Sequence, residues 1–145
     1  MAPVGGWLQW NNAELHRLLN SPDGAVARDL ARRGVIGAQA AKRLCPTSPR
    51  GSDGRGSGYL RSSIGWDVGK DSIGLYVDVK ATARTPDGKS YGLFVEYGTA
   101  PHVIESKGDY PLRNRQTGQT FGRRVQHPGT APQPFLRPAL QEMKN

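Results

Sequence analysis

Cysteine is nearly missing from this chain. Cys45 stands alone among 145 residues, which excludes an internal disulfide and a cysteine-based zinc cluster. Its neighbours Leu44 and Pro46 suggest a small buried residue at a helix end. Hydrophobic residues are scarce at 36% and aromatic residues reach only 8%. No apolar run approaches the roughly 18 residues that span a bilayer. The N-terminus lacks the charged and apolar regions of a secretion signal. The expected setting is therefore a reducing cytoplasm, or a particle assembled there, with no membrane partner. Acid is short too: 12 Asp and Glu face 20 Lys and Arg, giving a net charge of +8. That favours an anionic partner, nucleic acid or an acidic protein surface. The basic residues are scattered, so they do not form a charged tail.

Catalytic sets are also missing. The histidines are His16, His102 and His127, with no His-x-x-x-His or Asp-x-Asp spacing. His102 and His127 each adjoin a proline and could meet in space, but with Cys45 they make no ligand set. Glu96 has no second acid or histidine beside it, and a lone carboxylate suits a salt bridge to a basic neighbour better than acid–base work. The glycines at 51, 54, 56 and 58 lack the Lys-Ser or Lys-Thr ending of a phosphate loop. The sequence thus predicts no catalytic residue, no metal and no cofactor.

What the chain does hold is glycine and proline, 19 and 11 residues. This implies a small core with extended loops or arms, and a domain that completes its burial against neighbouring copies. Residues 1–10 read as an N-terminal arm, with Trp7 and Trp10 available to dock on a surface. Residues 11–145 read as a single α+β domain. A first helix, capped by Asn11 or Asn12, runs to Leu19. A second begins near Pro22 and runs to about Leu44, with Ala27, Leu30, Ala31, Gly34, Val35, Ala38 and Ala41 as its apolar stripe. Arg28, Arg32 and Arg43 fall in one arc of the other face, facing solvent, DNA or an acidic neighbour. Residues 46–58 form a long loop.

Alternation predicts a strand at Ile64–Val68, another at Ser72–Lys80 after a turn at Gly69–Asp71, and a third at Tyr91–Tyr97. The expected fold is an antiparallel β-meander packed against the long α-helix, with a short C-terminal helix. From 101 to 126 the pattern fades into a basic flap or arm carrying Arg113, Arg115, Arg123 and Arg124, with a turn at Gly118. Val125 to Thr130 could add an edge strand. Pro134 and Pro138, four apart, place the start of the last helix near Leu136 to Pro138, with Phe135, Leu136, Ala139 and Leu140 facing the core.

Four segments in order carry a resemblance: Leu44-Cys45-Pro46 ending an alanine-rich helix; Gly58-Tyr59-Leu60-Arg61-Ser62-Ser63-Ile64; Tyr91 to Val95-Glu96-Tyr97-Gly98-Thr99; and Pro132-Gln133-Pro134-Phe135-Leu136-Arg137-Pro138-Ala139-Leu140. Together they resemble the head–tail joining and tail-completion proteins of long-tailed bacteriophages. Loop 46–58 is longer and arm 101–126 larger than in the simplest members. The resemblance implies a non-enzymatic virion protein of the neck or tail that forms a ring, typically hexameric; it does not fix the layer, and the leading reading is a tail terminator. Its partners would be its own copies, the major tail tube protein and head connector proteins, with transient contact to genomic DNA in the channel. Trp7, Trp10, Arg113, Arg115, Arg123 and Arg124 would then contact subunits or layers, and Arg28, Arg32 and Arg43 would face the channel. Two alternatives stay open: a head-side stopper or adaptor layer of the same neck, and a non-specific nucleic-acid-binding module. An enzyme such as a nuclease or peptidase is the third class, with Glu96 as its only carboxylate of interest.

Overall fold

A computed structural model describes residues 9–47, 58–114 and 117–144. The positions of Trp7 and Arg115, and most of loop 46–58, lie outside the described residues. The fold is α+β. Helix α1 (Asn12–Asn20) is capped by Asn11, whose side chain accepts from the Glu14 N–H. Helix α2 spans Ala25–Leu44. It starts later than the proline suggested, because Pro22 and Asp23 sit in a turn closed by the Gly24 N–H on the Ser21 carbonyl at 3.1 Å. A short α3 (Tyr59–Ser62) leads into strand β1 (Ile64–Lys70), which pairs antiparallel with β2 (Leu75–Ala81). The turn between the strands falls at 71–74. There the Asp71 carboxylate accepts from the N–H groups of Ile73 and Gly74, leaving Ile73 95% exposed at the tip.

One face of this hairpin lies on α2. Trp66, Val77 and Val79 press against the helix where its residues are smallest. An added Cβ at Gly34 would meet the Trp66 ring at 2.6 Å and a Val77 methyl at 2.9 Å, and one at Gly37 would collide with the Met143 thioether. The buried stripe is thus Ala27, Gly34, Gly37, Ala38, Ala40 and Ala41. This is rotated from the expected one, and Val35 is exposed. The rotation follows from the second partner of α2, the C-terminal helix α5 (Leu136–Glu142). Phe135, Ala139 and Met143, four apart, are buried along α5. Leu140, expected to point inward, is 48% exposed, because Met143 fills that direction instead. Cys45 is buried at the end of α2, as the sequence suggested, and burial pushes its thiol above the ordinary range.

The third strand is not a strand. Tyr91–Tyr97 is a helix, α4. Its alternating Tyr, Leu, Val and Tyr match a strand on paper, but its buried residues are Gly92 and Glu96, four apart. Tyr91 and Val95, also four apart, pack on the core. Gly92 lets the helix lie close to Ala81, Leu60 and Phe135. Tertiary burial has overridden β-propensity here. The remaining strands, β3 (His102–Glu105) and β4 (Arg124–His127), form a second two-stranded antiparallel sheet and do not extend the first.

These contacts set a stability expectation. Gly34→Ala gains about 1 kcal/mol of helix propensity but crowds two anchored side chains, which costs typically 1–3 kcal/mol. Gly37→Ala meets the Sδ and Cγ of Met143, itself buried, and a Val79 methyl at 3.2 Å. Urea denaturation of the two variants should show net destabilisation for both, by about 1–2 kcal/mol after the propensity gain.

Candidate functional site

The first turn of α5 poses a problem that its own sequence does not solve. Phe135 occupies the cap position and offers no side-chain acceptor, so the first N–H groups of the helix lack partners within it. Pro134 and Pro138 fix where the helix begins but cannot satisfy those donors. Glu96, delivered from the end of α4, does so. Its Oε2 accepts from the N–H groups of Phe135 and Leu136 at 2.8 and 2.9 Å, and its Oε1 accepts from the Arg137 N–H at 3.0 Å. The Arg137 Nε lies 3.4 Å from the same Oε1. The carboxylate is only 3% exposed and stands at the positive end of the helix, where negative charge is favoured. Burial pushes the carboxyl up, but the three backbone donors and Arg137 outweigh it, so Glu96 ionises below the ordinary glutamate range.

The residues after Glu96 extend the same clasp. The Arg137 guanidinium lies over the Tyr97 ring at 4.7 Å from its centre. Gly98 takes φ +73°, and a side chain there would run into the Thr130 carbonyl and Pro132. Thr99 and Thr130 exchange both backbone hydrogen bonds at 3.1 Å, and their hydroxyls are also 3.1 Å apart. The Gln133 N–H donates to the Val95 carbonyl at 2.8 Å. So the two segments singled out in the sequence, 95–99 and 130–138, bind each other directly.

The rest of the site residues divide by role. Leu60 and Ile64 are buried core. Arg61 donates to the Cys45 carbonyl at 2.9 Å, closing the end of α2, and the Ser63 hydroxyl donates to the Leu60 carbonyl at 2.7 Å. This segment therefore joins α2 to the hairpin. Arg32 pairs with Asp29 at 3.0 Å and Arg43 with Glu142 on α5, while Arg28 has no ion pair among the described residues. Arg123 and Arg124 pair with Asp109 and Glu105 at 3.0 and 3.4 Å. Arg113 donates to the Gly118 carbonyl, and Trp10 is 68% exposed. Arg33 was not singled out in the sequence. It holds Asp29 at 2.7 Å and the Met143 carbonyl at 3.1 Å, tying α2 to the end of α5. Its i,i+4 spacing from Asp29 was the available signal.

From the clasp a ribbon projects. Its rungs run from Thr99–Thr130 through β3–β4, then to Ser106–Arg123, Leu112–Gly122 and Arg113–Thr120, with Asn114 and Gln119 near the turn at Gly118, φ +72°. At the base the His102 and His127 rings stack 4.9 Å apart, tilted 31°. His102 Nδ1 faces the Ala100 carbonyl at 2.9 Å, and the Gly129 N–H donates to His127 Nδ1. These rings form one wall of an open cleft of about 810 Å³, with Tyr91, Phe94 and Val95 of α4 opposite. No cluster of three or more metal-ligating side chains occurs among the described residues.

A family model described as "Bacteriophage HK97-gp10, putative tail-component" matches residues 14–98, more than half of the chain. Its span ends at Gly98, so it includes Glu96 but not the helix that Glu96 caps. No curated protein and no solved structure matches the chain.

Glu96→Gln should cost about 2 kcal/mol, since hydrogen bonds to a charged acceptor contribute about 1.5–3 kcal/mol each and the amide keeps part of the capping. The pH sign follows from the lowered value. The stabilisation is complete above the ordinary glutamate value of 4.5 and fades as pH falls through the lower folded-state value. Denaturation between pH 7 and pH 3 should show the wild type and variant converging only below 4.5. Gly98→Ala should destabilise by at least about 2 kcal/mol, from an unfavourable φ and a backbone collision, read as a lowered melting temperature.

Proposed function

This chain belongs to the HK97-gp10-like family, and from that premise we propose that it is a structural virion subunit that forms a ring at the phage head–tail junction. The family is one of phage tail components, which makes the chain a tail-associated structural protein; ring formation and place in the neck are our reading. The single observation that carries it is the ribbon. The ribbon is paired at its base from Thr99–Thr130 through β3–β4 to Ser106–Arg123 and again near its turn, it is anchored by the clasp, and all four residues of β3 are exposed. A monomeric protein gains little from fixing such a projection so firmly. A subunit that must reach a sibling or the next layer gains a defined geometry, because loops held by a rigid scaffold are the usual carriers of contact.

In this reading the body is α2, the β1–β2 hairpin and α5, and the role is that of tail terminator, joining the tail tube to the head connector. Copies of the chain and the major tail tube protein are the principal partners. A hexamer is the ring size that the resemblance of the four motifs implies. The work is done by shape, without catalysis or cofactor. Arg28, free of ion pairs among the described residues, is the best placed of the α2 arginines to meet DNA.

The net charge of +8 supports a second reading, a non-specific nucleic-acid-binding module. Against it, Arg32, Arg43, Arg123 and Arg124 already neutralise carboxylates within the chain, and phosphate binding draws on unpaired cations. Two measurements separate the readings. Electron microscopy and mass measurement of the purified chain mixed with tail tubes should show rings seated on tube ends. A strictly monomeric chain that ignores the tubes would reject the ring. Tight, sequence-independent gel shifts at physiological salt would favour the nucleic-acid module.

A further inference from the structure

The described chain contains two separate two-stranded sheets, β1–β2 and β3–β4, which share no pairing. Each is smaller than the three strands that a sheet needs to stand alone, and each presents unpaired backbone at its edges. The first is supported on one face by α2. The second has no such support: β3 and β4 pack chiefly on each other. Adjacent residues Val103 and Ile104, which point to opposite faces of the ribbon, are 36% and 38% exposed. The ribbon therefore has uncovered apolar side chains on both faces.

The bare face of β1–β2 has the opposite defect. Asp67 stands directly across from Asp78 in the antiparallel register. Like charges in that position oppose pairing. Lys80 lies 3.8 Å from Asp78, but Asp67 has no ion pair among the described residues. The ribbon carries the complementary sign: Lys107 and Arg113 have no ion pair among the described residues, in addition to the paired Arg123 and Arg124.

We propose that the β3–β4 ribbon of one copy docks against the β1–β2 sheet of a second copy of this chain, its basic side chains meeting Asp67 and Asp78. The occupant is a second copy because the two surfaces are complementary in charge, the ribbon's cations meeting a repelling acid pair on the hairpin's bare face. Within one copy the ribbon and the hairpin share no pairing, so the contact is between copies. It is also heterologous, with each copy offering its ribbon and receiving another, which closes into a ring if the rotation closes. This inference rests on the ring reading above and adds to it which surfaces meet.

Hydrogen exchange read by mass spectrometry on the full chain, assembled and dispersed, tests it. Amides of both 64–81 and 102–127 should slow at least tenfold on assembly. A ring whose ribbon amides exchange as fast as those of the dispersed chain would overturn this contact while leaving the ring intact. A chain that never assembles, even with tail tubes, would reject the ring reading and this contact with it. Asp67→Lys provides the second arm. It replaces the like-charge pair by Lys opposite Asp, so the isolated chain should melt at or above the wild-type temperature, yet need at least tenfold more protein to assemble. Assembly of this variant at the wild-type concentration would overturn the contact. Adding Arg113→Glu to Asp67→Lys should restore part of the lost assembly, and no recovery at all would count against the pairing of charges.

Discussion

The buried carboxylate of Glu96 is the constraint on which the rest of the architecture depends. One side chain satisfies three backbone donors at the start of α5. It thereby joins the end of α4 to the beginning of the last helix, a sequence separation of 39 residues. Without it, Phe135 would bring uncapped N–H groups into the core, a cost that burial of its ring would have to offset. With it, Phe135 sits fully buried against Leu60, Ala139 and the alanines of α2. Arg137 balances the remaining charge from the exposed side and covers Tyr97.

What the clasp closes is the base of the ribbon. Thr99 follows Gly98 directly, and Thr130 lies just ahead of the prolines that lead to α5. Both roots of the projection are thus fixed to the same small core. The direction of the ribbon is set by the positive φ of Gly98 and Gly129, where backbone approaches backbone too closely for a side chain. Beside this junction lies the cleft between α4 and the base of the ribbon. There the two histidines are engaged with backbone groups and with each other.

Much of the fold could be read along the chain because the signals were local. Asn11 announces α1, the alanine and glycine spacing announces α2, and alternation announces β1 and β2. The paired prolines set the start of α5. The failures share one cause. Tyr91–Tyr97 is rich in residues that suit strands, and only its contacts with Leu60, Ala81 and Phe135, distant in sequence, make it a helix. Leu140 gave way to Met143 for the same kind of reason: α5 lies on α2 through the Phe135, Ala139 and Met143 side, which helical spacing alone did not select. For the candidate site, the two halves of the clasp were visible as motifs, and a salt bridge for Glu96 was expected. That the carboxylate caps a helix was not visible, since nothing in either segment states that they touch.

By itself, then, the sequence determined α1, α2, the β1–β2 hairpin, the start of α5 and the segments that meet in the clasp. One cysteine excludes an internal disulfide, four ordered motifs carry the family resemblance, and short-range backbone preferences place the helix and strand boundaries that depend on neighbours. Only the tertiary structure decided the state of residues 91–97, which side of α5 is buried, the partner of Glu96, and the separation of the four strands into a supported sheet and a projecting ribbon. Those outcomes depend on which surfaces can approach closely enough to exclude water. That is a property of the packed chain, and local spacing does not encode it.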